Sequence, residues 1–262
     1  MKALFFILLT SPVWSFTLNN NFGASFKMNK VKVYIDSGTT CATAGITVNE
    51  LEAMIAPAVD NFWNTVPTSK LRLSSSGFTG PVNNINSGRL CSPTDDACID
   101  SAAGNVIAPV DHIVIACNDN VDNFPSSNVL AVTIPNKFSG RKIAGSVILI
   151  NNRSNVFSTL SQSDRIAVIA HEIGHAIGLG HAEEKNKEAL MYFRTVSLRK
   201  SLAQDDIDGV SYLYPVAGDA CGFLGTTQED QGPPIGPQIL LSFLLCFVFV
   251  ELHQRSKTRT TL

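Results

Sequence analysis

Charged residues are scarce in this chain. Asp, Glu, Lys and Arg together make up 16% of its 262 residues, and the formal net charge is −2. Binding to nucleic acid depends on a concentrated positive charge on one face of the protein. Because the acidic and basic residues nearly balance, the composition argues against nucleic acid or an acidic polymer as a partner.

Histidine is also scarce, with five residues in the whole chain, and three of these fall between positions 171 and 181. The other two are His112 and His253. His112 is a single histidine in a predicted buried strand, and a histidine in such a position is more often a structural residue than a metal ligand. No CxxC pair is present, and we assign no cysteine to a metal. The sequence therefore supports one metal site and gives no support for a second.

The stretch HEIGHAIGLGH, residues 171–181, is the most informative part of the sequence. On a helix, His171 and His175 are four residues apart and project from one face, where both can bind one metal ion. Gly178 can end that helix in a conformation that a side chain would disfavour, and the turn returns His181 as a third nitrogen ligand. Three protein ligands leave a fourth position open, which distinguishes a catalytic zinc site from a structural one.

Glu172 follows the first histidine and reaches the same side of the helix. Its carboxylate can accept a proton from a zinc-activated water and pass it to a leaving amine. The competing interpretation makes these histidines ordinary core residues satisfied by hydrogen bonds, and the completeness of the motif argues against it. We therefore expect His171, His175 and His181 to bind zinc and Glu172 to act as the general base.

Two downstream segments extend this pattern: residues 189–192 read ALMY and residues 203–210 read AQDDIDGV. Together with the histidine motif they resemble the metzincin zinc endopeptidases, and among them the matrixins, over about residues 161–214. The resemblance implies an α+β, zincin-like domain with a twisted, mixed five-stranded sheet, an active-site helix and a small C-terminal subdomain with one helix. It also implies one catalytic zinc, protein or peptide substrates, and Met191 as the packing residue of a Met-turn beneath the metal.

The sequence departs from the matrixin pattern at several positions. Ala182 follows the third histidine, where serine is usual. Phe193 follows ALMY, where proline is usual, so the resemblance does not predict the shape of the S1′ pocket. No PRCGxPD segment precedes the domain, so a cysteine-switch propeptide is not expected. Calcium is compatible with the resemblance, but no calcium-loop pattern supports it. Asp205 and Asp206 either anchor the Met-turn by hydrogen bonds or are solvated residues at the start of the last helix.

Hydrophobic spacing predicts the remaining elements. Strands are predicted at residues 31–35, 71–73, 111–116 and 143–150, and helices at residues 51–63, 166–177 and 203–214. A capping box formed by Thr47 and Glu50 starts the first helix, and residues 74–109 are predicted as loop. The resemblance places the strand at 143–150 at the sheet edge above the cleft, where a peptide could add to it. An ordinary core strand is the alternative.

Two apolar segments lie outside the predicted protease domain, which spans residues 16–221. Residues 1–15 have the composition of a signal peptide. Residues 222–237 are predicted as a Gly/Pro linker, residues 238–252 as a transmembrane helix and residues 253–262 as a basic cytoplasmic tail. This order predicts an exported, single-pass type I protein whose catalytic domain is extracytoplasmic. The alternative is a processed tag that releases or sorts the protein to the surface.

Five cysteines precede the C-terminal apolar run, and an exported chain can form disulfides. Cys91 and Cys98 are close enough in sequence to close a small loop. The other pairings cannot be deduced from the sequence, and the odd count leaves at least one thiol without an intramolecular partner.

The predicted function is zinc-dependent hydrolysis of peptide bonds in extracellular proteins by a monomeric endopeptidase. One alternative is a catalytically silent, zinc-containing surface-binding module. Glu172 favours the enzyme, because three histidines need no carboxylate beside them to hold zinc. The other alternative is a zinc hydrolase with non-peptide substrates. An open groove beside a strand edge would favour peptides over it.

Overall fold

The structure, a computed structural model, describes residues 16–19, 23–194 and 200–216. In this part of the chain five strands form one sheet. They are β1 (Lys30–Asp36), β2 (Arg72–Thr79), β3 (His112–Asn118), β4 (Ala131–Ser139) and β5 (Lys142–Asn151). The helices are α1 (Val48–Asp60), α2 (Asp96–Ser101), α3 (Val156–Thr159), α4 (Gln162–Ala176) and α5 (Gln204–Leu213), with a 3-10 turn at Trp63–Thr65. The α+β class and the mixed five-stranded sheet are confirmed.

The strand order is β2-β1-β3-β5-β4. The first four strands of that order run parallel to one another, whereas β4 pairs antiparallel with β5. The prediction that the strand at 143–150 forms the edge was therefore wrong, because β5 lies between β3 and β4. The edge strand is β4, which the sequence analysis missed. Pro135 lies within β4, and proline is tolerated in a sheet chiefly at an edge, where its missing N–H is not needed.

The core lies on both faces of the sheet. On one face, alternate strand residues such as Val33, Ile113 and Ile148 pack against α1 and α4 in the larger cluster. On the other face, residues such as Val114 and Val147 form a smaller cluster beneath the loops that precede β3 and β4. Strands buried on both faces account for the nearly continuous apolar runs of β3 and β5.

Helix α1 begins as the sequence indicates. The Thr47 hydroxyl accepts a hydrogen bond from the Glu50 N–H at 3.1 Å, and the Glu50 carboxylate accepts one from the Thr47 N–H at 2.7 Å. This reciprocal pair confirms the capping box. The prediction of loop over residues 74–109 was wrong at two places, since β2 continues to Thr79 and α2 forms at Asp96–Ser101. Short polar elements of this kind carry little hydrophobic periodicity.

The described residues form two disulfides: one closes a small loop, and the other joins a loop to strand β3. Cys91 pairs with Cys98, which confirms the small loop, and Cys41 pairs with Cys117 at the end of β3. The second pair closes 76 residues of chain, and its partners are brought together by the pairing of β1 with β3. Cys221 lies outside the described residues.

Several predictions concern segments that the structure does not describe: the signal peptide at 1–15, the linker at 222–237, the apolar run at 238–252 and the tail at 253–262. Among the described residues, no helix is both long and apolar enough to span a bilayer. The predicted anchor lies outside the part of the chain to which this finding applies.

Candidate active site

Helix α4 positions the first half of the histidine motif. Ser161 caps it by accepting a hydrogen bond from the Asp164 N–H at 3.2 Å, and the helix continues to Ala176. His171 and His175 are one turn apart, so both imidazoles project from the same side. The Trp63 indole, which is fully buried, donates a hydrogen bond to the carbonyl of Ala170 at 2.8 Å and fixes the helix against the core.

The chain reverses at Gly178, whose φ of 115° is a conformation that residues with side chains rarely adopt. A Cβ at this position would lie 2.5 Å from the carbonyl oxygen of Ala24. Beyond the turn, the segment at 178–181 pairs with residues 17–19, where the Gly180 N–H donates to the Thr17 carbonyl at 2.9 Å. This pairing holds the returning strand and brings His181 back towards α4, as the sequence predicts.

The potential ligand atoms of His171, His175 and His181 lie within 4.8 Å of one another. The Nδ1 of His171 lies 2.6 Å from the carbonyl oxygen of Leu190, and the Nδ1 of His175 lies 2.8 Å from that of Leu179. A carbonyl oxygen only accepts hydrogen bonds, so each Nδ1 must carry the proton. The Nε2 lone pairs of both rings are then left to bind a metal, which is the tautomer that such sites require.

Burial keeps the imidazoles of His175 and His181 neutral. It lowers the pKa of His175, against the opposing effect of the hydrogen bond to Leu179. Burial, assisted by the nearby His175, lowers the pKa of His181 to about 4. Neutral imidazole is the form that binds a metal. The donor set therefore fits a borderline-soft divalent ion such as zinc, and in the described part of the chain it is the one group of three such side chains close enough to hold an ion.

Glu172 lies on α4 beside the histidines and is 7% exposed. Its Oε2 accepts a hydrogen bond of 2.6 Å from the hydroxyl of Thr133 on β4. Burial raises the pKa of Glu172 to about 7, and the Thr133 hydrogen bond opposes that rise. A carboxyl group with a pKa near neutral can both accept and release a proton, which is what a general base that later acts as an acid needs.

Met191 packs against α4 from the far side of the site. It is 2% exposed, and a side chain at Gly174 would collide with its sulfur. Glycine within the HEIGH sequence therefore makes room for Met191, a requirement that the sequence analysis did not identify. The Ala182 N–H donates to the Met191 carbonyl at 2.9 Å and ties this turn to the residue after the third histidine.

Asp206 anchors the same turn. Its carboxylate accepts hydrogen bonds from the N–H groups of Leu190 at 2.7 Å, Met191 at 3.0 Å and Ala203 at 2.8 Å. Of the two interpretations left open for Asp205 and Asp206, the anchoring one applies to Asp206, since it is 1% exposed. Burial raises the pKa of Asp206 to about 6, although all three N–H donors act to lower it.

A cleft of about 770 Å³ runs in front of the histidines. One wall is β4 and the residues just before it, and the opposite wall is the segment after Met191. Apolar residues of both walls line it, including Leu130, Ala131, Tyr192 and Phe193. Phe193 is 48% exposed, and its ring centroid lies 5.9 Å from that of His181.

The structure thus brings together His171, Glu172, His175 and His181, with Met191 packed behind them. It leaves His112 elsewhere, at the start of β3, in agreement with its assignment as structural. The sequence analysis missed Thr133, because it did not predict β4. The apolar, β-branched run VLAVTI at residues 129–134, just before Pro135, is the signal that could have identified this strand.

Comparison with known proteins agrees with this geometry. A family model described as Matrixin matches residues 112–215. Matrix metalloproteinase-27 of Tupaia belangeri is 44% identical over 75 residues, which cover 28% of this chain and 12% of that protein. Metalloendoproteinase 2-MMP of Arabidopsis thaliana is 34% identical over 82 residues, 30% of this chain and 20% of that protein. Neutrophil collagenase of Homo sapiens is 39% identical over 66 residues, 24% and 14% of the two chains.

Each matched region is a small part of this chain and a small part of the related protein. This chain aligns with between 12% and 20% of the length of those three proteins. The similarity therefore covers a limited part of each chain, and it says nothing about the remainder of those proteins.

Proposed function

We propose that this chain, a matrixin-like metzincin, is a zinc-dependent endopeptidase that hydrolyses peptide bonds in extracellular proteins. The observation that carries the proposal is the convergence of three imidazoles within 4.8 Å of one another, beside the buried carboxyl group of Glu172. Three histidines suffice to hold a zinc ion. A carboxyl group that is desolvated next to them is costly to the fold, and ionisable groups with pKa values shifted in this way cluster at functional sites.

His171, His175 and His181 would hold one zinc per chain. When bound, zinc acts as a Lewis acid that lowers the pKa of a coordinated water to about 7 and polarises a carbonyl group. The carbonyls of Leu190 and Leu179 keep two of the rings in the required tautomer. Calcium remains compatible with the family resemblance, and we assign no residues to it.

Glu172 would accept and deliver the proton that is transferred in the reaction. Its carboxylate accepts a proton as water attacks the scissile carbonyl, and it then delivers that proton to the nitrogen of the leaving amine. Both transfers require the carboxyl group to remain in one orientation while its charge changes. Its buried position between α4 and β4 provides that constraint.

The substrate would lie along β4. As the edge strand, β4 pairs with β5 on one side, and no strand of the described residues pairs with its other side, so an extended peptide can add there. The cleft is open and flanked by apolar side chains of both walls. A long open groove beside a strand edge suits a polypeptide better than a small non-peptide substrate.

The test is metal analysis of the full-length protein after dialysis against metal-free buffer, followed by cleavage of a peptide library. We expect one tightly held zinc per chain, endoproteolytic products, loss of cleavage with a chelator and recovery on adding zinc. Two tightly held zinc ions, or none, would contradict the site. Stoichiometric zinc without cleavage of any peptide would instead favour the catalytically silent binding module.

We further propose that the protein acts as an exported monomer, held at the membrane by residues 238–252. Deleting residues from Gly236 onward should release active protease into the medium. A tag placed after Leu262 should survive protease treatment of intact cells that removes the catalytic domain. Loss of that tag during export would show that the apolar run is a processed sorting signal instead.

A further inference from the structure

We propose that Thr133 is a positioning residue, which holds the Glu172 carboxylate in the orientation that proton transfer requires. The inference rests on the proposed function, and it concerns a residue that lies outside the histidine motif. Thr133 is on the edge strand β4, opposite Ile148 of β5, and 39 residues separate it from Glu172 in sequence.

The geometry assigns the two carboxylate oxygens different surroundings. Oε2 accepts the hydroxyl hydrogen of Thr133 at 2.6 Å, a short distance typical of a hydrogen bond to a charged oxygen. In the part of the chain that the structure describes, Oε1 has no hydrogen-bond partner, and Glu172 lines the cleft. Thr133 therefore fixes one oxygen, and the other remains free to interact with water and substrate.

Among the described residues, no other hydrogen bond or ion pair restrains the Glu172 carboxylate. No lysine or arginine pairs with it, and the Thr133 hydroxyl is the one hydrogen-bond donor that acts on it among the described residues. A glutamate carboxyl rotates broadly about its terminal torsion unless a partner holds it. Removing the hydroxyl thus leaves the carboxylate free to rotate, with little effect on the volume of the site if the replacement is isosteric.

The strand also explains why this hydroxyl stays in place. Thr133 is stiff about χ1 because it is β-branched, and its backbone is paired with β5. The same strand is the one along which the substrate is proposed to lie. Thr133 therefore connects the proposed peptide-binding edge to Glu172 by a direct hydrogen bond.

The test compares four forms of the full-length, zinc-loaded protein: the wild type, Thr133→Val, Thr133→Ser and Thr79→Val. Valine removes the hydroxyl at nearly constant volume, and serine restores it. Thr79 lies on β2, the opposite edge strand, where its side chain makes no hydrogen bond with the described residues, so it is the matched control. Each form is characterised by zinc content, melting temperature, kcat and KM on one quenched peptide.

We expect Thr133→Val to lower kcat by about 10-fold or more with KM changed by less than about twofold, since a hydrogen bond to a charged group is lost at the catalytic residue. Zinc content should stay at the wild-type value, Thr133→Ser should recover most of kcat, and Thr79→Val should match the wild type. A kcat in Thr133→Val that equals that of Thr79→Val would overturn the proposal. A kcat in Thr133→Ser no higher than that of Thr133→Val would overturn it too, because a hydroxyl at this position would then have no effect on turnover.

Crystal structures test the positioning role of Thr133 independently of turnover. Zinc-loaded crystals should show one Glu172 carboxylate orientation in the wild type and in Thr133→Ser, and a different or split orientation in Thr133→Val. An unchanged single orientation in Thr133→Val would refute the positioning role. If the wild type binds zinc but cleaves no peptide, the proposed function fails, and the carboxylate orientation still decides the role of Thr133.

Discussion

The segment that carries the candidate site and the segment before it are held together by different interactions. Within residues 112–215, buried ionisable side chains organise the loops: Asp206 binds three backbone N–H groups, and two histidines bind backbone carbonyls. Residues 23–111 contain three of the four cysteines that form disulfides, together with one buried carboxylate, Asp36. Side-chain amides also join loops in this segment: Asn86 donates to the carbonyl of Gly38 at 2.9 Å and accepts from the Thr40 N–H at 3.2 Å.

This difference predicts which solution conditions destabilise each segment. Buried ionisable groups make a structure depend on pH and metal, because burial shifts their pKa and a metal uses their lone pairs. Cross-links make a structure depend on redox conditions, and they act mainly on the unfolded chain. We therefore expect the site segment to respond to charge and metal, and the preceding segment to respond to reduction.

The largest expected effect is on catalysis. Glu172→Ala should reduce cleavage of a quenched peptide by about 10²–10⁴-fold, because it removes the general base, while zinc content stays at the wild-type value. Glu188→Ala, which changes an exposed glutamate near the site, should behave as the wild type in both measurements. Undiminished turnover in Glu172→Ala would refute the mechanism, whereas loss of zinc would place Glu172 among the ligands.

The next effect is on stability. Replacing Cys41 and Cys117 together by alanine should lower the free energy of unfolding by about 4 kcal/mol, the entropic value for a loop of the 76 residues that this pair closes. Chemical denaturation under non-oxidising and oxidising conditions measures it. Reductant should destabilise the wild type more than the variant, because the variant retains only the Cys91–Cys98 disulfide. A loss below about 1 kcal/mol would show that the strand pairing of β1 with β3 restrains these loops without the cross-link.

Asp206 should make stability depend on pH. Burial raises its pKa from 3.8 to about 6, so the folded protein binds this proton more tightly than the unfolded chain does. Its contribution is therefore fully present below about pH 4 and is lost as pH rises through 6, by at most about 3 kcal/mol. Denaturation curves between pH 4 and 8 measure the slope.

Two substitutions isolate this contribution. Asp206→Asn should remove it from the pH dependence, and it should also weaken the turn, since an amide offers one acceptor to three N–H donors. Asp208→Asn, at an exposed position of the same helix, should retain the wild-type slope. The assignment to Asp206 is wrong if both variants keep the same pH dependence.

The smallest effect should come from the short disulfide. Cys91 and Cys98 are separated by seven positions, so their removal should cost about 2 kcal/mol, roughly half the cost of removing the longer cross-link. The free energy of unfolding of a Cys91→Ala/Cys98→Ala variant measures this cost. Peptide cleavage at a temperature at which the variant is folded should be unchanged. Equal losses for the two pairs would show that loop length does not govern their contributions.

Local patterns in the sequence were sufficient for the site itself. The spacing of His171, His175 and His181, the position of Glu172 and the ALMY segment around Met191 all lie within about 20 residues. A helix followed by a glycine turn converts such spacing directly into proximity. The start of α1 was equally predictable, because N-capping is a contact between residues three positions apart.

Tertiary structure alone decided the surroundings of that site. The order of the strands determines that β4 and not β5 is the edge, and a period of two in the sequence does not name a strand's neighbours. The pairing of Cys41 with Cys117, the contact of Thr133 with Glu172 and the anchoring of Met191 by Asp206 each join residues brought together by chain folding. Contacts between distant residues depend on how elements pack, and no local pattern of residue types encodes that packing.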